Sequence, residues 1–352
     1  MDLYLGNFFF IPNYLCNFLL ENEKKKLTEK DFLDLGETED EVKEISQLLN
    51  SLIEEEYLTQ VDLPLWEGFN VGTPYKSPDS LITDCIIEIS EKSEWDLEGL
   101  FFELNRIGVK FVEIRFLDFI SFENKIQDLR FSVQNHSIEF IHLIIPYSIN
   151  LEKAIKDELL GFERLGQLTV YNAQKRIEIK GHHFNLDFTS QTSIDNSKCG
   201  CIDPSYFHFN VSNYYSNRIY NNCLSHKLSI DQFGNIKNCP SKKDSFGRFS
   251  DNNLEQTVQL ESFKKEWHVT KESILVCSDC EFRFMCSDCR VFIKDSTNPL
   301  SKPSKCGYNP YISKWVNEEY YLSEEECGIK FHENRLIIDE ELLEMTNNKI
   351  WG

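Results

Sequence analysis

Residues 277–289 read CSDCEFRFMCSDC, two Cys-x-x-Cys pairs, Cys277/Cys280 and Cys286/Cys289, with five residues between them. Thiolates in such pairs are metal ligands. Zinc ribbons separate their two pairs by about 15–20 residues, so that each pair can form its own knuckle on the shared ion. Five residues leave little chain for that. The other known solution is interleaving, in which cysteines adjacent in sequence serve different clusters.

More thiols flank the stretch. Cys223 is followed by ten residues, Gly234, four residues and Cys239. Between them KLSIDQFGNIKNC predicts a hairpin, Leu228–Asp231 and then Asn235–Asn238, with Gly234 supplying a positive φ at the turn. The hairpin returns Cys239 towards Cys223. Cys306 follows Cys289 after a sixteen-residue loop with two prolines.

Taken together, Cys223, Gly234, Cys239, Cys277, Cys280, Cys286, Cys289 and Cys306 resemble the SPASM domain. This is the auxiliary iron–sulfur extension of radical S-adenosylmethionine peptide-modifying enzymes. The likeness covers about 110 residues. One departure is the last close pair, Cys-x2-Cys where the family has Cys-x3-Cys. The resemblance implies two [4Fe–4S] clusters. One takes Cys277, Cys280, Cys286 and Cys306. The other takes Cys223, Cys239, Cys289 and an upstream cysteine, Cys199 or Cys201, with Cys199 favoured because Gly200 follows it. Zinc is the alternative metal.

The Cys-x3-Cys-x2-Cys triplet of the radical enzymes is absent from the sequence, as is their Gly-Gly-Glu motif. No S-adenosylmethionine site is therefore expected. The chain is similar to the SPASM-domain peptide maturases of the grasp-with-spasm system. The carrying stretches are FKKEWHVTKESILVCSDCEFRFMCSDCR (263–290), NPLSKPSKCGYNPYISKW (298–315) and IKNCPSKKDSFG (236–247). That resemblance implies two partners, a ribosomally made precursor peptide and an ATP-grasp ligase. It implies a binding factor, with a radical or redox peptide-modifying enzyme and a zinc-stabilised interaction protein as alternatives.

Elements must position these thiols. Residues 3–11 predict a strand, and Thr38 to Glu41 a capping box. Val42, Ile45, Leu49, Leu52 and Ile53 then mark one face of a helix, and Tyr57–Val61 a short strand. Residues 1–75 thus form a winged-helix-like module, a candidate leader-peptide binder, joined by a linker at 64–78. Residues 79–195 alternate strands (Ile82–Ile89, Lys110–Phe116, Ile138–Pro146, Gly166–Tyr171) with helices, among them one carrying Leu97, Leu100, Phe101 and Leu104. Such alternation predicts parallel βα units, too few to close an eight-stranded barrel. Residues 196–316 hold most of the cysteines, and 317–352 form an acidic tail with a helix at Asp339–Met345. The expected fold class is α/β: a partial (β/α) barrel-like core with an N-terminal winged-helix-like module and a C-terminal SPASM-type iron–sulfur domain.

Composition narrows the function. The formal net charge is -21 and no basic stripe is present, which argues against a nucleic-acid partner. No apolar run reaches the roughly 18 residues of a membrane helix, and the start lacks a signal peptide's basic region. A cytoplasmic protein is expected, where twelve cysteines favour metal over disulfides. Neither a phosphate-binding glycine loop nor a Gly-x-Ser-x-Gly elbow is present. Cys16 and Cys85 read as buried apolar residues and Cys327 as a bystander. His182, His183 and His208 read as ordinary surface or packing residues rather than ligands. Phe282, Phe284 and Met285 are expected to shield a cluster.

Overall fold

The computed structural model describes residues 9–22, 25, 27–58, 78, 80–134, 136–176, 179–193, 199–207, 210–332 and 335–352. Two compact units emerge. One comprises residues 1–75 with 208–215, the other 76–207 with 216–352.

Among the described residues of 1–75 lie the helices α1 (Asn13–Glu21), α2 (Glu29–Leu33) and α3 (Glu39–Glu54). The capping box forms as expected: Glu41 N donates to Thr38 Oγ1 at 3.3 Å, and the Glu41 carboxylate accepts from Thr38 N at 3.0 Å. Ile45, Leu49 and Leu52 pack with Leu15 and Phe32 in a small core. Ile53 instead faces outward, 49% exposed, because it lies one residue beyond the buried Leu52 and so turns off that stripe. Most of the predicted strand at 3–11, the end of the one at 57–61 and nearly all of the linker lie outside the described residues. Phe9–Ile11 are not in a strand.

The second unit is built on a seven-stranded sheet of order β5-β4-β3-β2-β1-β6-β7. Its strands are β1 (Asp84–Ile89), β2 (Phe111–Phe116), β3 (Phe140–Pro146), β4 (Leu165–Tyr171), β5 (Asn185–Phe188), β6 (Lys227–Ile230) and β7 (Ile236–Lys237). All pair in parallel except β6 with β7. From β1 to β5 the spatial order follows the chain with no reversal, unlike a doubly wound sheet. The sheet also runs on past residue 196. The first strand of the cysteine hairpin, β6, sits beside β1, with Cys85 opposite Leu228.

Period-two alternation sorts the two faces. Cys85, Ile87 and Ile89, with Val112, Ile114 and Phe116 and with Ile141, Leu143 and Ile145, are buried. They join one core with α4 (Leu97–Arg106) and α5 (Phe119–Gln134), which contribute Leu100, Phe101, Phe122 and Ile126. Each such side chain contributes about 1.5–3 kcal/mol on leaving water. The opposite face carries Glu88, Glu113, Arg115 and His142. Residues 317–352 hold more than an isolated helix. A hairpin (Ile329–His332, Arg335–Ile338) and the helix Glu340–Trp351 pack on Ile312 and bury Cys327 completely. Among the described residues, no helix is long and apolar enough to cross a membrane.

Candidate metal centres

Asn238 closes the hairpin that carries Cys223 and Cys239. Its Nδ2 donates to Leu224 O at 2.9 Å and Lys227 O at 2.7 Å, while Trp267 Nε1 donates to its Oδ1 at 3.2 Å. Cys239 therefore begins its loop beside the Cys223 turn. Gly234 has the expected positive φ, 78°.

Cys289 reaches the same place. The Gly200 backbone has φ 74° and lies so close to Cys289 that a β-carbon there would meet its Sγ at 2.8 Å. Lys305 Nζ donates to Cys199 O at 2.7 Å, and Ile202 bridges Cys306 in parallel. The turn at 199–202 is thus pinned between Cys289 and Cys306. Charge coupling links Cys199 to Cys239 and Cys289, and Cys223 to Cys239, Cys289 and Cys199.

The remaining four thiols gather elsewhere. Cys277 opens a one-turn 3-10 segment, Cys277–Asp279, entered through Val276 at φ 69°. Cys280 N donates to Cys277 O at 3.1 Å and Cys286 N to Phe282 O at 2.9 Å, curling the loop back on itself. Charge couples Cys277 to Cys306, Cys280 to Cys277 and Cys286, and Cys286 to Cys306 and Cys277. By these charge interactions Cys199, Cys223, Cys239 and Cys289 fall near one another, as do Cys277, Cys280, Cys286 and Cys306, and each set of four is called a quartet below.

Burial pushes Cys223 and Cys286 up to about 12 and Cys277 to about 11, with Cys199 and Cys280 raised as well. A thiophilic metal must displace their protons to bind. Among the described residues, no group of three or more His, Cys, Asp or Glu side chains is closed up around one ion position.

The donor set itself fits a metal–thiolate group, and so does the charge around it. Asp288, between Cys286 and Cys289, is contacted by Arg290 Nε and Nη2 at 2.5 and 2.7 Å and by Lys271 Nζ at 3.3 Å, all buried. Burial works against the Lys271 charge, but Cys277, Asp288, Cys286 and Cys306 outweigh it and raise its pKa. A buried cation excess beside buried thiols suits an anionic centre. Lys271, Asp288 and Asn221 carried no signal in the sequence, because their partners come from distant loops.

Phe282 (6% exposed) and Met285 (4% exposed) are buried. Phe282 stacks with Phe207, Tyr308 and Trp315 at 4.9–6.2 Å between ring centroids. Phe284 is less covered and lies under Arg283, 4.5 Å from guanidinium to ring. Cys85 is buried in the sheet core and pushed well up by burial, as expected of a packing residue. Cys16 is only half-buried, since it turns off the stripe led by Leu15. Cys327 accepts from Asn309 Nδ2 at 3.3 Å. His182 and His183 bond main-chain carbonyls of Phe184 and Phe162, and His208 lies outside the described residues.

No protein-family model matches this chain, and no curated protein does.

A second cluster of polar groups lies on the open face of the sheet. Glu113 holds Arg115 Nε at 2.6 Å and His142 Nδ1 at 3.4 Å, and His142 Nε2 meets Thr169 Oγ1 at 2.9 Å. A cavity of about 290 Å³ opens beside it, lined by Asp84, Phe111, Glu113, Phe140, His142 and Lys227 among others. The alternation of strand residues had placed these groups on one face, but their linkage across three strands needed the register.

Proposed function

We propose that this chain is a maturation factor for a ribosomally made peptide, of the grasp-with-spasm kind, working with an ATP-grasp ligase. On this reading it carries two [4Fe–4S] clusters. Cys199, Cys223, Cys239 and Cys289 hold one, and Cys277, Cys280, Cys286 and Cys306 the other. The observation that carries the reading is the Cys289 Sγ lying against Gly200, the residue after Cys199. A single four-thiol site within 277–289 would not need that contact.

The unreversed order of β1 to β5 supports a partial (β/α) barrel. Residues 1–75 would be the winged-helix-like leader-binding module and 196–316 the SPASM-type domain of a cytoplasmic protein. Bound clusters supply one-electron storage and rigid cross-links between loops. The chain's own residues do the rest. Asn238 and Gly200 bring thiols from three loops together, and Phe282 and Met285 keep water from one of the centres. With no Cys-x3-Cys-x2-Cys triplet in the sequence, the reading assigns the chain binding and presentation of the peptide.

Anaerobically prepared protein should contain roughly eight iron and eight sulfide per chain, four of each per cluster. Two zinc ions without sulfide would favour the zinc-stabilised interaction protein instead. Ligase turnover of the precursor should rise when this protein is added, and equal rates with and without it would remove the proposed partnership.

A further inference from the structure

Asp288 is one carboxylate with two buried cations on it. Arg290 takes it at two points, 2.5 and 2.7 Å, and Lys271 approaches at 3.3 Å. Their side chains are at most 6% exposed, so water does not balance the extra positive charge. A buried charge without a counter-charge is costly. The site's other buried lysine, Lys302, has its own carboxylate in Glu324, whose second cation, Lys294, is 46% exposed and solvated.

The surroundings of Lys271 supply the missing partner. Its backbone leads directly into the second quartet: Ile274 N donates to Lys271 O, and Ser278 N to Ile274 O at 2.9 Å. Four thiolates on a [4Fe–4S] core, or on one zinc ion, leave the centre anionic. We infer that Lys271 is the fixed counter-charge of the centre held by Cys277, Cys280, Cys286 and Cys306, and so a positioning residue that tunes it. The inference rests on the two-centre reading above. Asn221 extends the node to the other quartet, donating from Nδ2 to Asp288 Oδ2 at 2.6 Å and accepting Cys223 N at Oδ1, 3.0 Å.

A nearby positive charge favours the reduced, more negative cluster. Removing it must therefore lower that cluster's potential. The test uses the anaerobically reconstituted full chain as wild type, Lys271→Met and Lys271→Arg, with iron and sulfide content and an EPR-monitored redox titration of each. Both variants should fold, since Asp288 keeps its two-point contact with Arg290, and Lys271→Gln serves as a second uncharged variant. In Lys271→Met, iron and sulfide should stay at wild-type levels while one of the two couples moves to more negative potential. Lys271→Arg should restore it. Two unmoved couples in the Met and Gln variants would overturn the inference, as would an Arg variant that shifts as far as Met. Should wild type carry zinc, the cluster reading falls separately and the counter-charge is read from affinity. Lys271→Met must then weaken one of the two zinc ions by roughly ten- to hundred-fold, and unchanged affinity overturns it.

Discussion

Gly200 and Cys289 are in direct contact, with the Cys289 Sγ 2.8 Å from the place a Gly200 β-carbon would occupy. The contact explains why Cys199 can stand beside Cys289 and Cys239. It requires both the bare α-carbon and its φ of 74°, a region that only glycine enters freely. On the proposed reading of one cluster per quartet, Gly200→Ala should remove about half of the bound metal, the half belonging to the Cys199 quartet. Metal analysis of the purified variant reads this out. Full metal content in the Ala variant would show that the turn has room to move.

The division of the thiols predicts a pattern in double substitutions. Cys286→Ser and Cys306→Ser together should lose no more metal than either alone, since both strike one of the two proposed centres. Cys286→Ser with Cys289→Ser should lose both centres, although these two residues are near neighbours in sequence. Cys201→Ser should keep full metal content. The iron-to-protein ratio across the set decides. Equal losses in the two double variants would dissolve the quartets.

Glu113 links the open face of the sheet to acid stability. Burial alone would raise its pKa, but the His142 hydrogen bond and the Arg115 charge outweigh burial and bring it down to about 2. The folded-state value thus lies below the ordinary one. Its stabilisation is present above the unfolded pKa of about 4.3 and is lost as pH falls from there towards 2. A shift of this size is worth on the order of 3 kcal/mol. Urea unfolding of wild type and Glu113→Gln should differ by up to that amount at pH 7 and converge only as the pH reaches about 2. A constant difference across the range would show that the carboxylate charge is not what matters.

Val276 is a β-branched residue at φ 69° immediately before Cys277, and backbone of that kind stores about 1–3 kcal/mol of strain. Its side chain is 1% exposed, so its burial contributes a similar amount, about 1.5–3 kcal/mol. Glycine removes both. Val276→Gly should leave stability within about 1 kcal/mol of wild type by this cancellation. Val112→Gly in β2, with no strain to release, should cost about 3 kcal/mol or more. Urea midpoints of the two variants make the comparison, and equal large losses would mean that the Val276 turn is unstrained.

Several elements were legible in the chain because a local rule governed them. The alternation in DCIIEI, FVEIRF and FIHLIIP marks strands without reference to the rest of the fold. Thr38 and Glu41 cap a helix using atoms three residues apart. Other elements have no such local rule. Lys227–Ile230 looks like half of an isolated hairpin and turns out to be a strand of the main sheet, because its other edge finds β1. The acidic end of the chain hid a second hairpin, whose reason to form is contact with Ile312.

The sequence by itself determined the strand periodicity, the helix caps, the glycine turn at Gly234 and the eight candidate thiols, since each follows from residues close together in the chain. Only the tertiary structure decided which thiols stand together. A sulfur's neighbours depend on where its loop is aimed, and Gly200, Asn221 and Asn238 aim these loops through contacts with distant segments. The same holds for Lys271. Its type and position mean little until the fold buries it beside Asp288, already paired with Arg290.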